Sequence, residues 1–195
     1  MRSQRRLEAI VTAAAESFAQ FGVGDTTMEG IAARAGTSIG SVYQFFPNKR
    51  AVFREIAQRC MLESRRGYAI LVGPDPLAQP WDTTLRRVID GFRGLHQGSV
   101  LMQAVWRNLE LYGEYAEADQ ALMRELIAAT AGLLQFWAPR LPDDRRPVVA
   151  TMLVNTVATL MLVLVREQDD TRGDALVAET KRMLEGYLAG YVAAP

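Results

Sequence analysis

The chain has few of the residue types on which most enzyme sites depend. It contains one cysteine, Cys60, and one histidine, His96, among 195 residues. A single cysteine excludes an internal disulfide and favours a reducing compartment, and we expect a buried thiol there rather than a redox sensor. One histidine and one distant cysteine provide neither the spacing of a zinc site nor a Ser/His/Asp or Cys/His arrangement. The sequence therefore argues against an enzyme and predicts no cofactor and no metal.

The chain also lacks net charge and a leader-like segment. Lys and Arg together number 22, as do Asp and Glu, so the formal net charge is zero. The charge is unevenly spread, because residues 1–60 carry eight Lys or Arg against five Asp or Glu. A modestly basic N-terminal part suits contact with a polyanion at that end. The N-terminus is polar and Arg-bearing, unlike a signal peptide, and we expect a cytoplasmic protein.

The most informative segment is TTMEGIAARAGTSIGSVYQFFPNKRAVF, residues 26–53. We predict a short helix that is capped by Thr26. Gly36 ends this helix, because glycine takes the positive φ that a three-residue turn needs. Ser38 can then cap a second helix over residues 39–46. This spacing is typical of a helix-turn-helix.

The second helix of this segment divides into two faces. Val42 and Phe46 lie one turn apart and are expected to pack inward. The outward face has small or hydrogen-bonding residues, which suits a helix that must enter a DNA major groove about 12 Å wide. The residues themselves place Ser41 and Gln44 at base edges, and they assign the DNA backbone to Tyr43, Lys49 and the amides at Thr26 and Thr27.

The core string TSIGSVYQFFPNK resembles the tetracycline-repressor (TetR) family of bacterial regulators, and the match extends over residues 6–56. The resemblance implies an all-α protein with an N-terminal three-helix helix-turn-helix domain and a C-terminal helical domain for ligand binding and dimerisation. It implies phosphate contacts by Thr27, Thr37, Tyr43, Gln44 and Lys49. It implies groove reading by Ile39, Gly40 and Ser41, and Ser38 completes the predicted DNA-binding set. Both assignments of Gln44, base edge and phosphate, stay open.

One residue departs from the family pattern. Many members carry Lys or Arg where this chain has Ile39, so a DNA contact made there by a cation is absent. Ile39 can instead touch a thymine methyl group or pack against the protein. The operator sequence therefore cannot be transferred from relatives.

Apolar residues elsewhere recur at steps of three and four, which predicts helices throughout. The predicted helices cover residues 7–22, 49–66, 83–96, 99–112, 117–137, 146–167 and 174–192. Residues 73–81 contain three prolines and read as a linker. We place the DNA-binding domain at residues 1–48 and the ligand-binding and dimerisation domain at residues 49–195.

The run VVATMLVNTVATLMLVLV, residues 148–165, has no charged residue and is long enough for a membrane span. Polar residues interrupt it, and the final helix offers a matching apolar face, so we predict a homodimer and no membrane contact. Two helices from each copy would form a four-helix interface. A two-fold dimer also presents two recognition helices to double-stranded DNA with an inverted-repeat operator. The residues expected between the subunits are Leu160, Leu164, Leu184 and Leu188.

The effector, if it follows the family, binds in the helical body. Apolar surroundings with few polar anchors suit a small hydrophobic or aromatic molecule, although a Met and Trp stripe is also typical of ordinary core. The candidate residues are Met102, Trp106, Leu109, Tyr112, Met123, Ile127, Thr130, Leu134 and Trp137. We therefore expect a ligand-responsive transcriptional regulator, most simply a repressor. Two alternatives stay open: a DNA-binding regulator whose body binds a protein partner, and an enzyme with a helical body.

Overall fold

The computed structural model describes residues 2–167 and 169–192. Within these ranges the regular structure is helical, which confirms the predicted all-α fold. The α-helices are α1 (Arg2–Asp25), α2 (Met28–Arg34), α3 (Ile39–Phe45), α4 (Lys49–Val72), α5 (Trp81–Gly98), α6 (Val100–Arg107), α7 (Ala116–Trp137), α8 (Arg146–Arg166) and α9 (Asp170–Ala189). Two short 3₁₀ helices cover Leu109–Glu114 and Asp143–Arg145.

The chain divides by packing into two compact units. The first contains the chain up to Glu63 together with His96–Asp119, and the second contains Ser64–Leu95 together with the chain from Gln120 onwards. The helix α6 belongs to the first unit because it packs along α1. The predicted domain boundary between residues 48 and 49 stays a prediction, since compactness is a different criterion from a functional boundary.

The first unit is organised around α1. Ile10, Ala14 and Phe18 follow one another at four-residue steps and are fully buried. The ring of Phe18 lies 6.2 Å from that of Phe53 in α4, so aromatic packing joins these two helices. The helix α1 does not stop at Gly22 as predicted. It kinks there, with φ of 82°, and then continues to its end at Asp25.

A second helix boundary also differs from the prediction, which had one helix over residues 99–112. The structure ends α6 at Arg107 and starts a 3₁₀ helix at Leu109. The intervening Asn108 has φ of −117° and ψ of 51°, outside the helical region. Its side chain is buried and forms hydrogen bonds with α1, which are described below. The helical spacing of this segment did not predict these bonds.

The second unit has a hydrophobic core shared by α5, α7, α8 and α9. Leu160, Leu184 and Leu188 lie in this core, and Leu164 packs against it. For Leu160, Leu184 and Leu188 the predicted position between subunits is therefore wrong, because the chain's own helices already cover them, whereas Leu164 is only partly buried. The helix α8 is apolar on nearly every side, so spacing alone did not show which side faces the core.

The exposed side of α8 carries a different set of residues. Val148, Met152 and Val163 are exposed, and 55% of the Met152 surface is accessible. The segment Asp143–Arg166 is long and apolar enough to cross a membrane, but only 28% of its most apolar stretch is buried in the chain. An exposed apolar stripe of this kind is typical of an interaction surface. The neighbouring helix α9 adds exposed Met183 and Tyr187 to it.

Candidate nucleic-acid interface

The helix α2 begins at a side-chain cap one residue later than predicted. The hydroxyl of Thr27 accepts a hydrogen bond from the N–H of Gly30 at 3.0 Å, which satisfies one of the free donors at the helix start. Thr26 instead donates its hydroxyl to the carbonyl of Gly22 at 2.7 Å. The prediction of Thr26 as the cap is wrong, because the α1 kink leaves a carbonyl within reach of its side chain.

The turn between α2 and α3 is built as the sequence predicts. Gly36 has φ of 62°, in the left-handed region that favours glycine. The N–H of Gly36 donates to the carbonyl of Ala33 at 3.2 Å, and the N–H of Thr37 donates to that of Ala32 at 3.0 Å. These bonds satisfy carbonyls at the end of α2, and they fix the direction in which α3 departs.

The helix α3 has the two faces that its sequence predicts. Ser38 caps it by accepting a hydrogen bond from the N–H of Ser41 at 3.2 Å, and Val42 and Phe46 are buried. The predicted DNA-binding residues all remain accessible to a partner. Thr27, Ser38, Gly40, Tyr43 and Gln44 are exposed, and Thr37, Ile39, Ser41 and Lys49 are partly exposed.

The presence of glycine at position 40 on this face is not explained by packing within the protein. Beyond its chain neighbours and its own helix backbone, a Cβ atom added at Gly40 would have no atom within 4 Å, and the φ of Gly40 is not positive. Glycine inside a helix costs about 1 kcal/mol relative to alanine. Neither backbone conformation nor internal packing requires glycine here, so the close approach of DNA expected at Gly40 meets no obstacle in the protein and stays a prediction.

The ammonium group of Lys49 is bound within the protein. Its Nζ atom donates to the carbonyls of Val23 at 2.7 Å and Gly24 at 2.9 Å. A cation beside the carbonyls that end α1 is favourable, because a helix C-terminus carries partial negative charge. Lys49 therefore ties the start of α4 to the end of α1, a contact that spacing in the sequence does not reveal.

Asn108 binds the same turn from the other side. Its Oδ1 accepts a hydrogen bond from the N–H of Val23 at 2.7 Å, and its Nδ2 donates to the carbonyls of Phe18 and Ala104. Sequence reasoning missed this residue, since its partner at Val23 is 85 positions away. The only sign in the sequence of a buried hydrogen-bonding role was an asparagine among apolar helix positions. The α1 kink leading into the helix-turn-helix is thus held by Asn108 and Lys49 in addition to Thr26.

The predicted effector residues fall into both compact units. Met102, Trp106, Leu109 and Tyr112 belong to the first unit, and Met123, Ile127, Thr130, Leu134 and Trp137 belong to the second. Within the second unit, Ile127 packs against the core that contains Leu134. The hydroxyls of Thr130 and Tyr68 lie 3.0 Å apart in a hydrogen bond, which gives that part of the body a paired polar group. A shared effector site for these residues stays a prediction.

The sole cysteine has the expected environment. Cys60 is fully buried in α4, and burial raises the pKa of its thiol to about 12. A thiol that stays protonated is a poor nucleophile, which agrees with the expected packing role.

A helix-turn-helix with an accessible, small-residue recognition face defines a DNA-binding regulator. The chain belongs to the TetR family: residues 80–188 match the family described as tetracyclin repressor-like, C-terminal domain, and residues 10–56 match the bacterial regulatory proteins of the tetR family. It is therefore a TetR-family transcriptional regulator, and the resemblance seen in the sequence is confirmed.

Individual relatives agree with this assignment. The chain is 29% identical over 123 residues to an uncharacterised HTH-type transcriptional regulator, YhgD, of Bacillus subtilis strain 168. That match covers 63% of this chain and 59% of YhgD, so the chain spans less than two thirds of that relative. A TetR-family regulator from Streptomyces coelicolor has the same fold, with a TM-score of 0.69, 24% identity and coverage of 98% of this chain and 99% of that one. The structure of a SmeT–triclosan complex gives a TM-score of 0.67 with 25% identity, covering 96% of this chain and 92% of SmeT.

Proposed function

We propose that this chain is a ligand-responsive repressor that binds an inverted-repeat operator as a homodimer and leaves it when a small hydrophobic or aromatic effector binds. The observation that carries the proposal is the division of α3, with Val42 fully buried on one side and Gly40 open to the surroundings on the other. A helix fixed by its buried side presents the opposite side in a constant orientation, as recognition in a groove requires.

The roles proposed on this face follow from reach and chemistry. Gly40 allows α3 to approach the groove floor, Ile39 can touch a thymine methyl group or pack, and Ser41 can donate to a base edge or accept from one. Gln44 suits bidentate pairing with adenine, or a phosphate contact. The proposed phosphate contacts come from Thr27, Thr37, Tyr43 and Lys49, while Ser38 holds the start of α3.

The proposed dimer interface is the accessible stripe of α8 together with α9. Its α8 residues are separated by steps of four and three, so they lie along one side of the helix. Two copies related by a two-fold axis would bring the same stripe against itself, as self-complementary interfaces do. Dimers are typical of the family. The α8 stripe consists of Val148, Met152, Asn155, Thr159 and Val163, and α9 adds Met183 and Tyr187.

The effector proposal draws support from a relative. SmeT forms a complex with triclosan, a largely apolar molecule with two aromatic rings and one hydroxyl group, and a small hydrophobic or aromatic compound is proposed for this chain. To release the operator almost completely, an effector must favour the released state by about 5.5 kcal/mol. Because a transcriptional regulator must bind chromosomal DNA, we propose that it acts in the cytoplasm.

Selection of bound genomic fragments tests this function. Purified protein is mixed with sheared DNA of the source organism, bound fragments are sequenced, and the strongest fragment is titrated in the presence of apolar aromatic compounds. We expect a small set of fragments with a shared inverted repeat, and at least one compound that lowers affinity for it. Binding without sequence preference, or an operator complex insensitive to every compound that binds the protein, would contradict the proposal.

A further inference from the structure

The only histidine lies in an unusual environment near the end of α5. His96 is 7% exposed, and neither of its ring nitrogens has a hydrogen-bond partner among the residues that the structure describes. The indole ring of Trp106 in α6 lies 5.1 Å away, centroid to centroid. Its Nε1 atom is likewise buried and unpartnered within the described chain. Three polar atoms on two adjoining rings are therefore left without a partner.

Unpaired buried polar groups are rare, because each has given up its hydrogen bonds to water. Other polar groups near this corner of the fold are paired. The hydroxyl of Ser99 donates to Glu63 Oε2 at 2.6 Å and accepts from the N–H of Met102 at 3.3 Å. The other polar groups at the corner between α5 and α6 are therefore paired, and the His96 and Trp106 rings are the exception there. Elsewhere in the described chain, Trp137 Nε1 and Arg146 Nε are also buried without a partner, but each is a single atom.

The donor and acceptor pattern limits what can bind. An indole N–H only donates, whereas a neutral imidazole has one donor and one acceptor nitrogen. Burial lowers the pKa of His96 to about 4, so the ring is uncharged at neutral pH and offers no counter-ion to an acid. The Glu63 carboxylate at this corner, bound to a hydroxyl rather than to a cation, further disfavours an anion.

We propose that His96 and Trp106 anchor the polar end of the effector, and that this effector is an uncharged aromatic molecule bearing a hydroxyl group. One hydroxyl oxygen accepts from the Trp106 N–H while its proton is donated to a His96 nitrogen, which an ether or a carbonyl cannot do alone. The aromatic body lies against the two rings. This inference rests on the proposed function, whose effector it defines by chemical class.

The test uses matched probes and the three indole N–H signals of the full-length protein. The probes are 2-phenylphenol and triclosan, the methyl ether of each, and biphenyl-2-carboxylate. Tryptophan is labelled with nitrogen-15, and the signals of Trp81, Trp106 and Trp137 are assigned from single Trp→Phe variants. We expect both phenols to move the Trp106 proton signal downfield, as a new hydrogen bond does, and to bind about tenfold more tightly than their ethers.

Variants separate this site from other binding surfaces. Trp106→Phe keeps an aromatic ring but removes the donor, and His96→Leu removes the acceptor, so each should weaken phenol binding about tenfold. Trp81→Phe is the matched control, since Trp81 packs against the core of the second unit, and it should bind as the parent does. If His96→Leu does not fold, Trp106→Phe and the ether probes still decide the question.

Several results would overturn the inference. These are equal affinity for phenol and ether, parental affinity in Trp106→Phe, preference for the carboxylate, or a Trp106 signal that no probe moves. A compound that releases the operator while the Trp106 signal stays unchanged would refute this site and leave the proposed function intact. Phenol binding that meets every expectation in a protein without operator specificity would refute the proposed function and leave the site intact.

Discussion

Asn108 accepts a hydrogen bond from the backbone N–H of Val23 at 2.7 Å, which joins the end of α6 to the α1 kink just before the helix-turn-helix. Both partners are buried. The carbonyl of the same Val23 accepts from Lys49 at 2.7 Å. The backbone that leads into α2 is thus held at its N–H by one helix and at its carbonyl by another, and both bonds lie within the first compact unit.

Replacing Asn108 should loosen this turn. Asn108→Ala leaves the buried N–H of Val23 without its acceptor, so we expect the free energy of unfolding to fall by about 1 to 3 kcal/mol. Operator affinity should fall as well, because Val23 precedes the capped start of α2. Urea denaturation and operator titration on the same preparation measure both effects. Gln103→Ala, an exposed change in the preceding helix α6, is the control, and a stable Asn108→Ala protein would show that the bond contributes little.

Lys49 should affect both stability and salt dependence. Lys49→Met keeps the methylene chain but removes the ammonium from the α1 carbonyls, so we expect a loss of about 1.5 kcal/mol in stability. If the same ammonium also reaches a phosphate, the slope of log affinity against log salt should decrease by about one. Arg182→Met, which changes an exposed cation of α9, is the control variant. A destabilised Lys49→Met protein with the parental salt slope would limit Lys49 to holding α1.

Gly40→Ala should move stability and DNA binding in opposite directions. The added methyl group meets nothing within 4 Å in the free protein, and alanine is the better helix former, so stability should rise by up to about 1 kcal/mol. Operator binding should weaken, because the methyl group points to where DNA is proposed to approach. Thermal denaturation and operator titration give the two values. Unchanged operator affinity would place the DNA elsewhere on the chain.

The helix-turn-helix was predictable because its signals are local. The turn at Gly36, the cap at Ser38 and the buried side at Val42 each depend on residues a few positions apart, and the structure has all three. The Asn108 bond depends on a partner 85 residues away, which no periodicity encodes. For α8 the pattern was too uniformly apolar to assign sides, and only the packed core shows which leucines it covers.

The dimer proposal is tested by changes on the two sides of the C-terminal helices. Met152→Glu places a carboxylate in the proposed interface, so it should yield a folded monomer with weakened operator binding. Leu184→Glu places one in the chain's own core, so it should destabilise the fold itself by several kcal/mol. Sedimentation and circular dichroism distinguish these outcomes. Ile70→Glu, an exposed apolar position of α4, is the control, and a dimeric Met152→Glu protein would exclude this stripe.

The stability of the effector-free protein should depend on His96 in mild acid. Burial lowers the pKa of this imidazole from 6.5 to about 4, so between these values the unfolded chain binds a proton that the folded chain does not. The stability that comes from keeping His96 neutral is fully present above pH 6.5. As the pH falls towards 4, the free energy of unfolding decreases by roughly 3 kcal/mol. Urea denaturation across this range should show a shallower decline in His96→Leu than in the parent. Parallel profiles would show that protonation of His96 contributes nothing to the decline.

Two α3 faces of one dimer are proposed to read DNA together, and selection from a random duplex library tests this proposal. Purified protein is taken through several rounds at fixed salt, and the bound sequences are aligned. We predict a two-fold symmetric inverted repeat whose half-site centres lie about 10 base pairs apart, or a multiple of this. A single unpaired half-site, a direct repeat, or no enrichment at all would show that the two α3 faces do not read DNA together.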